Sequence, residues 1–300
     1  MTTDDLFAIV VFDPDDRDAR SEVADLLDRA ERETGNPPLS DASLLAWHQR
    51  DVAMTGLLQR GPGGLVGYAQ LGWRDGPATI EIVVRPDADR SAVRGRLLEA
   101  ALAEARSRGA TEVRYWQIHH GGDGDEPAMN LGFSVERDLF QMRVPLPLHL
   151  ERREPDPGFV LRPFRPDRDE QAWLEINNRA FSAHPEQGRW ELSDLLAREA
   201  LDWFDPNGFV ICEHDGTIAG SCWTKVHATR GLGEIYVISV NPDFQGHGLG
   251  RLLTVAGLDR LAERVSVGML YVDASNEPAL GLYRSLGFTL DHVERCYLLR

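Results

Sequence analysis

Two short stretches return at a fixed distance along this chain. Gly95-Arg96-Leu97-Leu98 recurs as Gly250-Arg251-Leu252-Leu253, and Leu131-Gly132-Phe133 as Leu286-Gly287-Phe288, both after 155 residues. Constant register, unlike shared composition, implies that one supersecondary unit is present twice. Val84 and Pro86 face Val240 and Pro242 at a shift of 156, so one residue of slack falls in the intervening loop. With 300 residues, 42% of them hydrophobic, the chain is long enough for each copy to bury its own core.

The order of elements repeats as well. In the first half the apolar run 7–12 reads as a strand, 15–33 as a helix, and Ser40 caps a second helix with Asp41 in its first turn. Strands at 53–58, 65–73 and 79–84, a helix at 91–108 and a strand at 113–118 follow, and 133–144 closes the unit. The second half gives a strand at 159–162, helices at 169–180 and 192–201, and strands at 209–213, 218–227 and 234–240. A helix to 264, a strand at 269–272, a short helix at 278–286 and a strand from 288 complete it. The pattern predicts an α/β protein of two tandem domains, 1–146 and 158–300, joined by a proline-rich, charged linker at 147–157.

The charge balance narrows the partners. A formal net charge of -16 is opposite to the basic footprint that phosphate backbones require, so no nucleic acid is expected. No run of about 18 apolar residues is present and residues 1–5 are polar and acidic, which predicts a cytoplasmic protein without membrane association. A monomer is expected. Cys212, Cys222 and Cys296 have no metal-ligand spacing and read as reduced, buried thiols; His119-His120 reads as surface loop, and no metal is expected.

The copies differ where chemistry belongs. The second runs from strand 234–240 through Gln245-Gly246-His247-Gly248-Leu249-Gly250-Arg251 into a helix whose Leu249, Leu252, Leu253 and Ala256 recur at three- and four-residue steps. Glycines let backbone N–H groups converge, and a helix start adds orphan donors, so a phosphate is the natural guest. In the first copy only Gly95 matches a loop glycine, Glu234 falls on Ala78 and Tyr283 on Ala128. That copy keeps a scaffold without the site's side chains, although the strand edge at Ile82, Val83 and Val84 needs only backbone groups to hold a ligand. A dinucleotide fingerprint is excluded because the third glycine comes one residue early, and a P-loop because Gly-Lys-Ser/Thr is missing.

Gln245-Gly246-His247-Gly248-Leu249-Gly250, followed by Asn276, Ala279, Tyr283 and Leu286-Gly287-Phe288, resembles the loop and next motif of the GNAT N-acetyltransferases. The resemblance implies two GNAT-type domains, each a mixed, mostly antiparallel sheet flanked by helices, and acetyl-CoA as cosubstrate. Five further stretches, starting at Asn177, His184, Trp203, Trp223 and Gly233, are similar to the tandem mycothiol synthase family. That family acetylates the cysteinyl amine of cysteine-glucosamine-inositol, a small molecule. By this resemblance acetyl-CoA contacts fall on Ile238, Ser239 and Val240, on Gln245, Gly246, His247, Gly248, Leu249, Gly250 and Arg251, and on Asn276, Glu277, Pro278, Ala279, Leu280 and Gly281. Substrate contacts fall on Asp41, Glu186, Lys225, Glu234 and Tyr271.

The chemistry of the residues suits that reaction. An amine attacks a thioester only when unprotonated, so a carboxylate at a strand end, here Glu234, can take its proton directly or through water. Tyr283, one short helix after Asn276, resembles the family's general acid, the phenol that protonates the departing thiolate. Structural explanations stand beside these: Glu234 as a surface acid, Tyr283 as core, Asp41 as a helix-dipole partner, Lys225 as a solvated strand charge, Tyr271 as a strand aromatic. Glu186, in a His-Pro-Glu-Gln-Gly loop, has no packing pattern to explain it. Three functions remain open: acetylation of that amine, acetylation of another amine such as an aminoglycoside or peptide N-terminus, and non-catalytic acyl-CoA binding. Glu234 and Tyr283 in the copy with the intact loop argue against the last.

Overall fold

The computed structural model describes residues 8–300 apart from 50–52, 74–76, 119, 121–124, 151–154, 183–188 and 229. The chain forms two compact units. The first comprises Met1–Phe140, Asp273–Ser275 and His292–Arg300, and the second Gln141–Val272 and Asn276–Asp291.

The first half of the chain contributes β1 (Ile9–Val11), α1 (Arg17–Thr34), α2 (Asp41–Gln49), β2 (Met54–Gly61), β3 (Gly64–Gly72), β4 (Ala78–Val84), α3 (Arg90–Ser107), β5 (Val113–Gln117), α4 (Asp125–Asn130) and β6 (Ser134–Pro145). The second half contributes β7 (Phe159–Pro163), α5 (Glu170–Ala180), α6 (Leu192–Glu199), β8 (Phe209–His214), β9 (Thr217–His227), β10 (Leu232–Val240), α7 (Leu249–Ala262), β11 (Val267–Asp273), α8 (Glu277–Ser285) and β12 (Thr289–Leu299). The two series run in the same order, as the repeat requires.

In the first unit the strand order is β1-β2-β3-β4-β5-β12-β6, counting β12 from 292 and β6 up to 140. Pairing is antiparallel from β1 to β4, parallel for β4–β5, and antiparallel again for β5–β12. The strand that closes the first half in sequence is therefore not the neighbour of β5. Arg295–Leu299 lie there instead, with Tyr297 opposite Tyr115 and their rings stacked at 5.5 Å.

Each face of this sheet has its own core. Val93, Leu97, Leu98, Ala101 and Leu102 of α3 pack on one side, close enough that a Cβ on Gly67 would meet Leu97 and Val93 at 2.7 Å. Val23, Leu26, Leu27 and Ala30 of α1 gather on the other around Phe12, Trp47 and Tyr68. Both helices show the three- and four-residue spacing of an apolar stripe, which is why each settles on one face. The expected Ser40 cap is present, Ser43 N–H donating to Ser40 Oγ at 3.2 Å. Glu81 reinforces it from β4, accepting from Ser40 N–H at 2.7 Å, Ser40 Oγ at 2.6 Å and Ser43 Oγ at 2.7 Å. Burial pushes this carboxyl above its usual range, and the three donors pull the other way.

The second unit follows the same plan. Its order is β7-β8-β9-β10-β11-β6, with β6 counted from 141 and the start of β12 beyond it. β10–β11 is parallel, and the pairs from β7 to β10 are antiparallel. α7 covers one face, where Cβ atoms on Gly220 and Gly233 would meet Leu253 and Leu261 at 2.8 and 2.7 Å. α5 and α6 cover the other with an aromatic cluster of Trp173, Phe209, Trp223, Trp203 and Tyr236. Cys212, Cys222 and Cys296 are buried thiols outside any disulfide, as expected, and burial pushes Cys212 up to about 11. Among the described residues no helix is long and apolar enough to cross a membrane.

Candidate functional site

The site is built on a strand that leaves its neighbour. β10 stays paired with β9 from Leu232 opposite His227 to Val240 opposite Gly220, with a bulge at Tyr236. Its parallel pairing with β11 ends at Ile235 opposite Leu270. A bulge adds local twist and bends the strand that carries it. The stretch Tyr236–Val240, which includes Ile238, Ser239 and Val240, thus keeps the backbone edge turned towards β11 free of that ladder. β4 does the same in the first unit, where parallel pairing with β5 ends at Glu81 opposite Trp116, before Ile82, Val83 and Val84.

Beyond Val240 the chain makes one tight turn over Pro242–Phe244, with Asn241 Oδ1 accepting from Asp243 N–H at 3.1 Å. Gln245 is extended, and Gly246 and Gly248 take φ of 88° and 71°. A Cβ at either glycine would meet nothing within 4 Å, so these positions ask for glycine through their backbone angle rather than through crowding. Gly248 starts α7 without a side-chain cap. Among the described residues no protein acceptor receives the N–H groups of Gly246, His247, Gly248, Leu249 or Gly250. Five consecutive donors at the start of a 14-residue helix fit an anionic phosphate group. The His247 ring lies beside Phe159, centroids 5.5 Å apart, and Arg251 reaches Ser285 Oγ at 3.2 Å.

α8 packs beside α7, Leu282 lying 3.6 Å from a Cβ built on Gly250. Asn276 caps it, Oδ1 accepting from Ala279 N–H at 3.2 Å with Pro278 in the first turn. Asn276 thus has a structural duty of its own, Leu280 is buried in the core, and Glu277, Pro278, Ala279 and Gly281 make up the rest of the first turns.

The acid and base expected from the sequence lie on opposite faces of the second sheet. Gly233 faces α7, so Glu234 points to the α5–α6 side. Lys225 stands directly across from it on β9, its Nζ 4.7 Å from the Trp203 ring centroid and 5.2 Å from that of Tyr236. His227, diagonal to Glu234 on the same face, donates from Nε2 to Glu234 Oε2 at 2.7 Å. Tyr283 lies on the other side, packed against Phe288 at 5.7 Å and sensing Cys222, whose sulfur abuts Gly257 of α7. Burial pushes its phenol well above the usual range and Cys222 adds to the shift, so Tyr283 keeps its proton at neutral pH.

The remaining expected residues are dispersed. Tyr271, on β11, accepts from Gln141 Nε2 at 2.8 Å. Asp41 is half-buried in the first turn of α2, in the first unit. Glu186, and His119 of the histidine pair, lie outside the described residues. Two polar side chains to which the sequence assigned no role, though each lies in a stretch that carries the family resemblance, are His227 and Asn177. Asn177 is 1% exposed on α5, and neither atom of its amide has a partner among the described residues. Its helix neighbour Trp173 donates to Ser221 Oγ at 2.8 Å, which in turn meets Ser239 Oγ at 3.0 Å.

Residues 170–288 match the acetyltransferase (GNAT) family model. A mycothiol acetyltransferase of Thermomonospora curvata is 46% identical over 285 residues, 92% of each chain. The chain belongs to the mycothiol acetyltransferase family. A second such acetyltransferase, from Acidimicrobium ferrooxidans, is 46% identical over 224 residues, 72% of each chain. A solved tandem GNAT protein from the clavulanic acid biosynthesis pathway is 19% identical, covers 98% of both chains and superposes with a TM-score of 0.74. That likeness bears on the fold, and it agrees with the α/β architecture and the repeat read from the sequence. As a mycothiol acetyltransferase family member the chain is an N-acetyltransferase, and the family match falls on the half that carries the glycine loop.

Proposed function

We propose that this protein transfers the acetyl group of acetyl-CoA to the cysteinyl amine of cysteine-glucosamine-inositol, forming mycothiol, and that the second unit carries the reaction. The observation that carries the reading is the coincidence, in one unit, of a parted β10 edge, five unused N–H donors at 246–250 and a carboxylate on the same strand. When bound, acetyl-CoA supplies an activated thioester. The N–H groups of Gly246–Gly250 hold its phosphates, and the backbone of Ile238, Ser239 and Val240 pairs with its extended arm as a strand would.

Glu234 takes the proton of the attacking amine. Lys225, opposite it, places a positive charge beside the carboxylate, and Trp203 and Tyr236 fix that ammonium in place. A backbone N–H near Val240 polarises the reacting carbonyl. Tyr283, on the other face, delivers its proton to the departing thiolate. Asp41, Glu186 and Tyr271 are assigned to the acceptor, and Ile82, Val83 and Val84 to a second acetyl-CoA in the first unit. The protein acts on a small molecule, as a cytoplasmic monomer, without metal, nucleic acid or membrane.

Thiol release from acetyl-CoA in the presence of cysteine-glucosamine-inositol tests the reading. Saturable turnover is expected. Turnover with an aminoglycoside or a peptide N-terminus and none with this acceptor would overturn it.

A further inference from the structure

We infer that His227 is a positioning residue for the base: it clamps one oxygen of Glu234, turns the other towards the amine, and gates the base through its own protonation. The inference rests on the reading of Glu234 as general base.

The register builds the pair. Leu232 faces His227 and Glu234 faces Lys225 across an antiparallel ladder, so His227 is the diagonal neighbour of Glu234 on the same face. Its Nε2–H donates to Oε2 at 2.7 Å, within the range of a charge-assisted hydrogen bond. Glu234 is 7% exposed, which makes a fixed donor worth more than it would be in water. Oε1 has no protein donor among the described residues and is not sealed from solvent, so it is the oxygen left to meet a substrate. One oxygen held and one open is what in-line removal of an amine proton needs.

The same contact supplies a gate. With neutral imidazole the contact is a hydrogen bond alone. Protonated imidazole turns the contact into an ion pair, which favours the ionised carboxylate and weakens it as a proton acceptor. Charged and titratable groups on this side of the sheet include Glu234 and Lys225 on the strands, Tyr236 at the bulge, Tyr271 on β11, two residues beyond the Met269 that pairs with Glu234, and on α6 Glu199 and Arg198, whose Nε donates to Tyr236 Oη at 2.7 Å.

The test measures kcat against pH at saturating acetyl-CoA and amine for wild type, His227→Gln, His227→Leu and Glu234→Gln. Glutamine keeps an N–H donor but does not titrate. His227→Gln is expected to retain kcat within about 3-fold at high pH and to extend activity to lower pH. His227→Leu is expected to lose about 10-fold or more in kcat, as misplacement of a base does, with KM for acetyl-CoA unchanged. An acidic limb in His227→Gln identical to that of wild type would overturn the gate, and full kcat in His227→Leu would overturn the clamp. Wild-type kcat and limb in Glu234→Gln would instead overturn Glu234 as base, whatever the His227 variants do. Thermal melts of each variant separate loss of fold from loss of rate.

Discussion

Glu199, at the end of α6, titrates at about 7 because burial, then the nearby Glu170 and Asp167 carboxylates, oppose its charge. A carboxyl whose folded value is raised favours folding while it is protonated in both states, and that contribution is lost as pH climbs from the unfolded value, roughly 4.3, through the folded one. Glu199→Gln should therefore melt higher than wild type at pH 8, with the gap closing by pH 4; equal gaps at both would remove the cause given. Tyr283 makes a kinetic prediction. A raised phenol holds its proton until a strong base forms beside it, so Tyr283→Phe should lower kcat by roughly 10²-fold with KM for acetyl-CoA unchanged. An unchanged kcat would leave Tyr283 as core packing against Phe288. Glu234 and Tyr283 were named as candidates through the family resemblance and the chemistry of the reaction, but the pairing of Glu234 with His227 was not foreseen, because it is set by a cross-strand diagonal that no local pattern encodes.

At the level of elements, Gly257 within α7 and Gly248 at its N-terminal cap have opposite reasons for being glycine. A Cβ on Gly257 would run into Cys222 Sγ and come within 3.2 Å of Thr224 Cγ2, both on β9. Alanine ordinarily gains about 1 kcal/mol over glycine in a helix, but here the helix must lift from the sheet. Gly257→Ala should therefore destabilise by roughly 1–3 kcal/mol, the range for overpacking a filled core; a stabilised variant would contradict the close approach. Gly248 has open space and a φ of 71° instead. Gly248→Ala costs about 1–2 kcal/mol for a left-handed backbone, or it reorients the N–H array. A several-fold rise in KM for acetyl-CoA is expected, with kcat nearly kept. The helix stripes, the turn glycines and the Ser40 cap were readable because each depends on residues within a few positions of one another.

What the whole chain does with its last strand was not readable in that way. Residues 133–144 and the strand from 288 each look like the end of their own half, since alternation fixes which face a strand shows and not which strand it joins. Yet His292–Arg300 belongs to the first unit and Gln141–Pro145 to the second. In the first unit Arg295 holds Asp138 at 2.7 and 2.9 Å and Asp125 at 3.1 Å, and Tyr297 stacks on Tyr115. In the second, Gln141 holds Tyr271, and Val144 lies 3.3 Å from a Cβ built on Gly268. Deleting residues 292–300 should therefore strip amide-exchange protection from Val113–Gln117, more than 170 residues away in sequence, because β5 loses its antiparallel partner at Arg295–Leu299. A separately expressed 158–300 fragment should melt below the full chain for the complementary reason, since β11 then lacks the β6 residues beside it. If protection at Val113–Gln117 survived the deletion while that of Val267–Asp273 collapsed, β12 would belong with its own half, and the pairing of Arg295–Leu299 with β5 would be wrong.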